Sequence, residues 1–306
     1  MAFDTADIVR LGEAAIVVVG MSYAAVTDVR TREAPDALWL VLASIATFAG
    51  LALAFLEGPL AIFLWVAVSA LVLEHLLPWD EALERRSELP IWIVEVVAYA
   101  AVGLVIFAIG YSQDWGAQPG FVPAAGVFVT VLFARGLFEA RVLYGGADAK
   151  ALMALGLLLP FWTMTLVPLP TMAGIVTGIV PFAVTALLNA ALLAVAVPVY
   201  LGLRNAFRRE FEFPRALASY RIPVEELPHR FVWLRDATLG VSPDEEDVET
   251  SDEDQALRTR QMIELKSRGM ERVWVTPQLP FLLGIALGAI TALVAGNLLF
   301  DLLVLL

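Results

Sequence analysis

The sequence predicts an all-α, polytopic membrane helix bundle with a cytoplasmic segment before its last helix. Hydrophobic residues make up 59% of the 306 positions and charged residues only 17%, whereas soluble domains are about 45–50% apolar and about 25% charged. The apolar residues also gather in windows of about 20 residues, the length of a membrane-spanning helix. A single soluble domain and a disordered chain are therefore excluded.

Eight windows are long and apolar enough to span a bilayer. They are Ile8–Val26, Ala37–Leu56, Pro59–Leu77, Pro90–Gly110, Phe121–Phe138, Ala149–Val167, Thr171–Leu201 and Leu279–Val304. The first is not expected to be a cleaved signal peptide, because Asp4 and Asp7 stand where a positive cluster would be. The seventh carries Pro181 and Pro198, which predict a tilt or a kink.

Lysine and arginine set the predicted orientation, because cytoplasmic loops of membrane proteins are enriched in these residues. With the N-terminus outside, 19 of the 20 basic residues lie on the cytoplasmic side, and only Arg10 lies outside. The opposite orientation reverses that count. The sequence therefore predicts a multi-pass plasma-membrane protein in contact with lipid, with both termini outside.

A long polar segment, 202–278, precedes the last window. Its first half mixes Arg with aromatic residues and predicts a folded or membrane-associated part. The run Asp244–Asp254 has eight carboxylates in eleven residues, and their mutual repulsion predicts a disordered loop over 241–255. A short helix is predicted at Gln255–Gly269. The predicted domains are a membrane bundle, 1–201, with an extra helix pair near 90–138, the cytoplasmic segment, 202–278, and a last helix, 279–306.

Composition also limits the expected cofactors and partners. The chain has no Cys and two His that are far apart in sequence, a poor basis for a metal site, so neither a metal nor another cofactor is expected. The formal charge of −12 argues against nucleic acid as a partner. The acid excess would suit the salt-rich cytoplasm of a halophile, and the sequence does not determine the oligomeric state.

The first candidate catalytic residue is Asp28, at the cytoplasmic end of the first window. Placing a charged side chain in a bilayer costs free energy, so each ionisable residue near a window is a candidate functional residue. Arg30 and Arg32 follow it in the sequence. The alternative is therefore an interfacial acid that is paired with one of these arginines.

The second candidate, Asp148, lies near the start of a helix, soon after Gly145 and Gly146. Glycine permits a positive φ and the close approach of another backbone, so both glycines are predicted to support the motif. Lys150 is expected either to act on a neighbouring carboxylate or to extend to the interface. The alternative for Asp148 is a helix N-cap after a glycine turn.

The predicted orientation places Asp28 and Asp148 on the same side of the membrane at similar depth. Two carboxylates that share a proton can work together as a general acid and a general base. The ionised carboxylate activates water, and the protonated one polarises the scissile carbonyl. The chemistry requires neither a covalent intermediate nor a metal, so the pair indicates an aspartyl hydrolase.

The glycine–aspartate string from Gly145 to Lys150, GGADAK, carries a family resemblance. Together with Asp28 and the basic stretch after it, the string resembles the membrane aspartyl peptidases that process type IV prepilins and archaeal preflagellins. The motif of that family is written GxGD or GxxD, and Asp28 and Asp148 match its two catalytic aspartates. The stretch from Val275 to Phe281 also looks like the archaeal branch.

The chain departs from the family pattern in three respects. The third motif position is Ala147 rather than Gly, and two extra windows, Pro90–Gly110 and Phe121–Phe138, precede the motif. An even number of extra spans keeps both aspartates on one face. Bacterial members carry a zinc-binding cysteine domain and methylate the new N-terminus, so this Cys-free chain is expected to be a peptidase without N-methyltransferase activity.

The resemblance implies an endopeptidase that removes a short basic leader from pilin or flagellin (archaellin) precursors on the cytoplasmic side. In these precursors the leader stands just before a hydrophobic segment. Acidic residues near the site would attract such a leader, and Glu33, Asp36 and Glu139 are the candidates. The alternative for each of them is a solvated interfacial acid.

Three other functions stay open at this point. A transporter or channel requires a polar midplane pathway, whereas these windows are almost free of charge at mid-depth. Proteases that resemble presenilin and signal peptide peptidase place both aspartates in adjacent late helices, unlike Asp28. A non-catalytic membrane scaffold would keep the fold without the chemistry.

Four further polar residues are expected to have structural roles. Glu95 is predicted to lie near the interface or in helix packing, and Glu74 and His75 near the cytoplasmic end of the third helix. Asn189 is predicted to make an interhelical hydrogen bond.

Overall fold

The computed structural model describes residues 5–77, 91–112, 120–143, 145–162, 164, 179–234 and 251–305. The chain divides into two compact units. The first unit comprises Met1–Leu192 and Phe281–Leu306, and the second comprises Leu193–Pro280. The first and last parts of the sequence therefore belong to one unit, and the segment between them forms the other.

Helices form most of the described chain. In chain order they are α1 (Thr5–Thr31), α2 (Asp36–Glu57), α3 (Pro59–Leu76), α4 (Ile91–Ser112), α5 (Phe121–Glu139), α6 (Gly146–Leu158), α7 (Phe182–Ala194), α8 (Ala196–Phe207), α9 (Ser251–Ser267), α10 (Phe281–Ala295) and α11 (Leu298–Leu305). Within the described residues, six helices are long and apolar enough to cross a membrane, with Phe182–Phe207 counted as one. The prediction of an all-α polytopic membrane bundle is confirmed, while the number of spans stays a prediction.

The seventh predicted window differs from the observed helices. Residues 171–178 lie outside the described chain, and α7 begins at Phe182, directly after Pro181. The helix stops at Ala194, and α8 then continues to Phe207. Pro198 explains the interruption, because it has no N–H to donate to the carbonyl of Ala194 four residues earlier.

The last predicted window was expected to form one continuous helix, but it forms two. Gly296 has a positive φ of 80° and separates α10 from α11. The fully buried amide of Asn189 bridges the break: its Nδ2 donates to the carbonyl of Gly296 at 2.9 Å, and its Oδ1 accepts from the N–H of Leu298 at 3.0 Å. The predicted interhelical hydrogen bond of Asn189 is confirmed, and it satisfies backbone groups that the break would leave unpaired.

Close contacts between small residues hold α7 against α10. A Cβ placed on Gly288 would lie only 2.1 Å from the carbonyl oxygen of Ala186 and 2.7 Å from the nitrogen of Ala190. Membrane helices use such small residues because lipid gives no hydrophobic drive for association, so stability depends on close packing. Glycine at position 288 is therefore required by the backbone of α7.

The second unit contains a small antiparallel sheet that the sequence did not predict. Its strands are β1 (Tyr220–Pro223), β2 (Val232–Leu234) and β3 (Arg272–Pro277), in the order β1-β3-β2. Tyr220 pairs with Val275, and Val232 pairs with Pro277. These strands are too short to give a clear alternating pattern, and the central strand comes last in the sequence.

The helix α9 supplies the other side of the core of the second unit. Its Leu265 is fully buried in one apolar cluster with Ile222, Val224 and Leu227. The helix begins at Ser251 rather than at Gln255, so the end of the predicted disordered loop is helical. Residues 241–250 of the loop lie outside the described chain.

The close approach at Gly288 leads to a stability prediction. Replacing Gly288 with Ala is expected to lower the free energy of unfolding by about 1–3 kcal/mol, because the new methyl group meets backbone atoms that cannot move aside. The measurement is thermal unfolding of the detergent-solubilised protein. Gly284→Ala on the same helix is the control, because a Cβ at Gly284 meets no atom within 4 Å. Equal unfolding temperatures for the two variants would contradict the prediction.

Candidate active site

Asp28 lies near the C-terminal end of α1 and is buried, with 8% of its surface exposed. The chain turns directly after this helix at Arg32, which has a positive φ of 61°. The N–H of Arg32 donates to the carbonyl of Asp28 at 3.0 Å. The charge of Arg32 is also within electrostatic range of the Asp28 carboxylate. The alternative, in which Asp28 interacts with a neighbouring arginine, therefore agrees with the structure in part.

The carboxylate of Asp28 caps the N-terminus of α10. The N–H of Leu282 donates to Oδ2 at 2.9 Å, and the N–H of Leu283 makes a second hydrogen bond to the same side chain. These residues are in the first turn of the helix, where N–H groups have no acceptor within the helix. The helix dipole also favours a negative charge at this end. Backbone groups of α10 are thus part of the site.

Asp148 lies in the first turn of α6 and is half-buried. Its backbone N–H donates to the carbonyl of Gly145 at 3.0 Å, and the N–H of Gly145 donates to its carboxylate. The N-cap position belongs to Gly145 and not to the aspartate, so the alternative of an N-cap aspartate is wrong. Asp148 is the third residue of the helix, and its side chain folds back onto the N-cap.

Gly145 makes room for the carboxylate of Asp148. A Cβ on Gly145 would lie 2.8 Å from Oδ2 and 3.2 Å from Cγ of the aspartate. The expected reason, a positive φ, does not apply, because Gly145 has φ −90°. Gly146 differs from its neighbour: a Cβ there meets no atom within 4 Å. Of the two predicted motif glycines, only Gly145 is thus required by its surroundings.

The structure brings the two predicted aspartates together. The helices that carry them, α1 and α6, pack against each other. The charge of Asp28 acts on the carboxylate of Asp148, so the two side chains lie within electrostatic range. Each also accepts at least one backbone N–H. Two carboxylates within electrostatic range, one buried and one half-buried, are the groups that a general acid and a general base would require.

Lys150 does not bond to either aspartate. Its Nζ bonds to Oδ1 of Asp36 at 2.7 Å, which ties the start of α6 to the start of α2. Glu139, also expected to receive a basic leader, bonds to Arg135 at 2.7 Å. Glu33 is exposed, and it makes no ion pair with any residue in the described part of the chain. Two of the three candidate leader-binding acids thus already have a cationic partner.

In the described ranges, the one group of side chains that could hold a metal ion is Glu74, His75 and Glu95, and it includes neither aspartate. Among the described residues, the groups at the candidate site are the two carboxylates and the backbone N–H groups that donate to them.

Two comparisons with known proteins bear on this site. The family described as archaeal peptidase A24 C-terminus, type II, matches residues 212–298. A curated relative, the preflagellin peptidase of Methanocaldococcus jannaschii, is 25% identical over 217 residues, which cover 66% of this chain and 86% of the relative. The resemblance to the archaeal prepilin and preflagellin peptidases is confirmed. The matched C-terminal residues include Leu282 and Leu283, whose N–H groups bond to Asp28.

The start of α10 is the part of the site that the sequence pattern did not reveal. The donor is the backbone N–H of an apolar residue, so no ionisable side chain marks it. Leu282 also lies far from Asp28 in the sequence. A signal was present in Pro280, because proline is common just before or at the start of a helix. That signal places a helix N-terminus here but does not say which carboxylate meets it.

Proposed function

We propose that this protein is a membrane-embedded aspartyl endopeptidase that removes the short basic leader of type IV pilin-like or flagellin precursors. The observation that carries the proposal is the approach of Asp28 and Asp148 from helices far apart in the sequence. The family match and the curated relative support peptidase activity. The orientation predicted from Lys and Arg supports cleavage on the cytoplasmic face.

The number of N–H donors suggests a role for each aspartate. Asp28 accepts two N–H groups at a helix N-terminus, which favours a negative charge on it, whereas Asp148 accepts one from Gly145. Asp28 therefore takes a proton from water as the water oxygen attacks the scissile carbonyl carbon. Asp148 gives its proton to the carbonyl oxygen, and a tetrahedral gem-diol forms.

The same two groups complete the reaction. Asp28 passes its proton to the leaving nitrogen, and Asp148 recovers a proton from a hydroxyl of the gem-diol as the C–N bond breaks. The products are a free amine and a carboxylic acid, and both aspartates return to their starting states. The leaving peptide receives no methyl group, because the proposed activity is that of a peptidase alone.

Replacing either aspartate with Asn is expected to abolish leader removal. Each variant is co-expressed with a candidate pilin or flagellin precursor, and cleavage is followed as a shift on a gel. Asn at position 28 keeps an oxygen that can accept from Leu282, so the cap of α10 and the fold are retained. Glu13→Gln is the control, because Glu13 is a buried acid on the same helix. Cleavage that persists in either aspartate variant would contradict the proposed catalytic role of the pair.

The contact between Gly145 and Asp148 leads to a second prediction. Gly145→Ala is expected to reduce the cleavage rate by about 100-fold, because a displacement of a catalytic group by about 1 Å costs that much. Gly146→Ala is the matched control and is expected to cleave at close to the wild-type rate, since a Cβ there meets nothing within 4 Å. Equal loss of activity in both variants would show that the glycines act in another way.

The exposed acids Glu33, Asp36 and Glu139 are proposed to attract the basic leader. Replacing all three with the corresponding amides is expected to slow cleavage by roughly tenfold at low salt, and added salt should reduce the difference. Glu33 is expected to contribute most, because Asp36 and Glu139 are already paired. A precursor with a neutral leader is the control. An unchanged rate with a basic leader would refute the idea.

A further inference from the structure

A polar cluster joins three helices and includes neither member of the aspartate pair. It has Glu74 and His75 at the end of α3, Glu95 and Tyr99 near the start of α4, and Arg135 and Glu139 at the end of α5. The helices α4 and α5 correspond to the two extra predicted spans. The cluster lies outside the matched residues 212–298. The proposed cleavage uses Glu139 to attract the leader, and it does not use Glu74, His75, Glu95 or Tyr99.

Three side chains of the cluster converge as metal ligands would. One ligand atom from each of Glu74, His75 and Glu95 lies within 4.8 Å of the others. Nδ1 of His75 is 3.6 Å from Oε2 of Glu74. Ligand atoms around a tetrahedral Zn²⁺ lie roughly 3.3 Å apart, because Zn–N and Zn–O bonds are about 2.0–2.2 Å long. If the carboxylate of Glu95 rotates to that spacing, the three side chains fill three of four tetrahedral positions, with water in the fourth.

Tyr99 orients the imidazole for this role. Its hydroxyl lies 2.5 Å from Nε2 of His75, and the histidine side chain is only 5% exposed. When Nε2 donates its hydrogen to the tyrosine oxygen, Nδ1 directs its lone pair toward the two carboxylates. Histidine ligands of metals commonly donate their second N–H to a neighbouring acceptor in this way, which fixes both the tautomer and the ring.

The charges of the cluster also fit a divalent cation. Arg135 lies 3.5 Å from Glu95, but its contact with Glu139 is shorter, at 2.7 Å. With a neutral histidine, the three glutamates and the arginine together carry a formal charge of −2. A divalent ion balances that charge, and imidazole with carboxylates is a ligand set that Zn²⁺ accepts.

We propose that Glu74, His75 and Glu95 bind a divalent transition metal that fastens α4 to α3. The metal has a structural role: it holds the extra helix pair against the bundle. The sequence alone provides no reason to expect this site, because two histidines far apart are a weak signal. The third ligand comes from a different helix, and only the packing of α3 against α4 brings it near.

The test uses the whole protein, stripped with a chelator in detergent and then titrated with Zn²⁺ in a calorimeter. The wild-type chain is expected to bind one Zn²⁺, and the bound metal is counted by mass spectrometry after gel filtration. His75→Ala and Glu95→Gln are expected to bind at least about tenfold more weakly. His229→Ala removes the other histidine, which is exposed in the second unit, and is expected to bind like the wild type.

Two further variants test the orienting role of Tyr99 and the location of the ion. Tyr99→Phe removes no ligand, and it is expected to weaken Zn²⁺ binding by about 10–100-fold because the imidazole loses its orienting partner. Asp28→Asn with Asp148→Asn should leave binding unchanged, since the ion is not at that pair. The proposal fails if the folded wild type binds no Zn²⁺, if His75→Ala binds like the wild type, or if only the double Asp variant loses the ion. Leader cleavage is a separate measurement, so either proposal can fail alone.

Discussion

The bond between the Asp28 carboxylate and the start of α10 is the interaction on which the first unit depends. A buried carboxylate is costly unless it is hydrogen-bonded, and the unpaired N–H groups of a helix N-terminus are costly in apolar surroundings for the same reason. The hydrogen bond from the N–H of Leu282 to the Asp28 carboxylate offsets the desolvation cost of both groups. The bond joins α1 to α10, which pack along each other although they come from opposite ends of the sequence. A residue of the proposed chemistry is thereby also a structural link.

Close backbone contacts and single polar side chains also stabilise the packing of the helices in the bundle. Lipid is as apolar as leucine, so helices in a membrane gain little from hydrophobic burial against one another and depend on close packing and hydrogen bonds. Gly288 lets α10 reach the backbone of α7. Asn189 satisfies the break between α10 and α11. Gly145 is also needed for steric reasons, because the absence of a Cβ leaves room for the carboxylate of Asp148. The predicted glycine–aspartate motif and the packing of the bundle thus use glycine for one physical reason.

Much of the candidate site was predictable because charged residues are few in an apolar chain. Asp28, Asp148 and Asn189 stand out next to windows that carry almost no other polar groups, and the structure gives each of them bonded partners. The partners themselves were not predictable. The ion pair of Lys150 with Asp36 joins two helices far apart in the sequence, and no local pattern encodes that contact. The small sheet was missed because its strands are short and its central strand comes last.

The sequence by itself determined the membrane class, the apolar windows, the two aspartates and the family resemblance. All of these follow from the cost of placing charge in an apolar medium and from the presence of a short motif, and both are local properties of the chain. The tertiary structure alone decided which groups meet: the start of α10 with Asp28, the carboxylate of Asp148 with Gly145, and the polar cluster at the ends of α3, α4 and α5. The reason is that a hydrogen bond or an ion pair depends on distance in space, which helix packing sets and sequence separation does not.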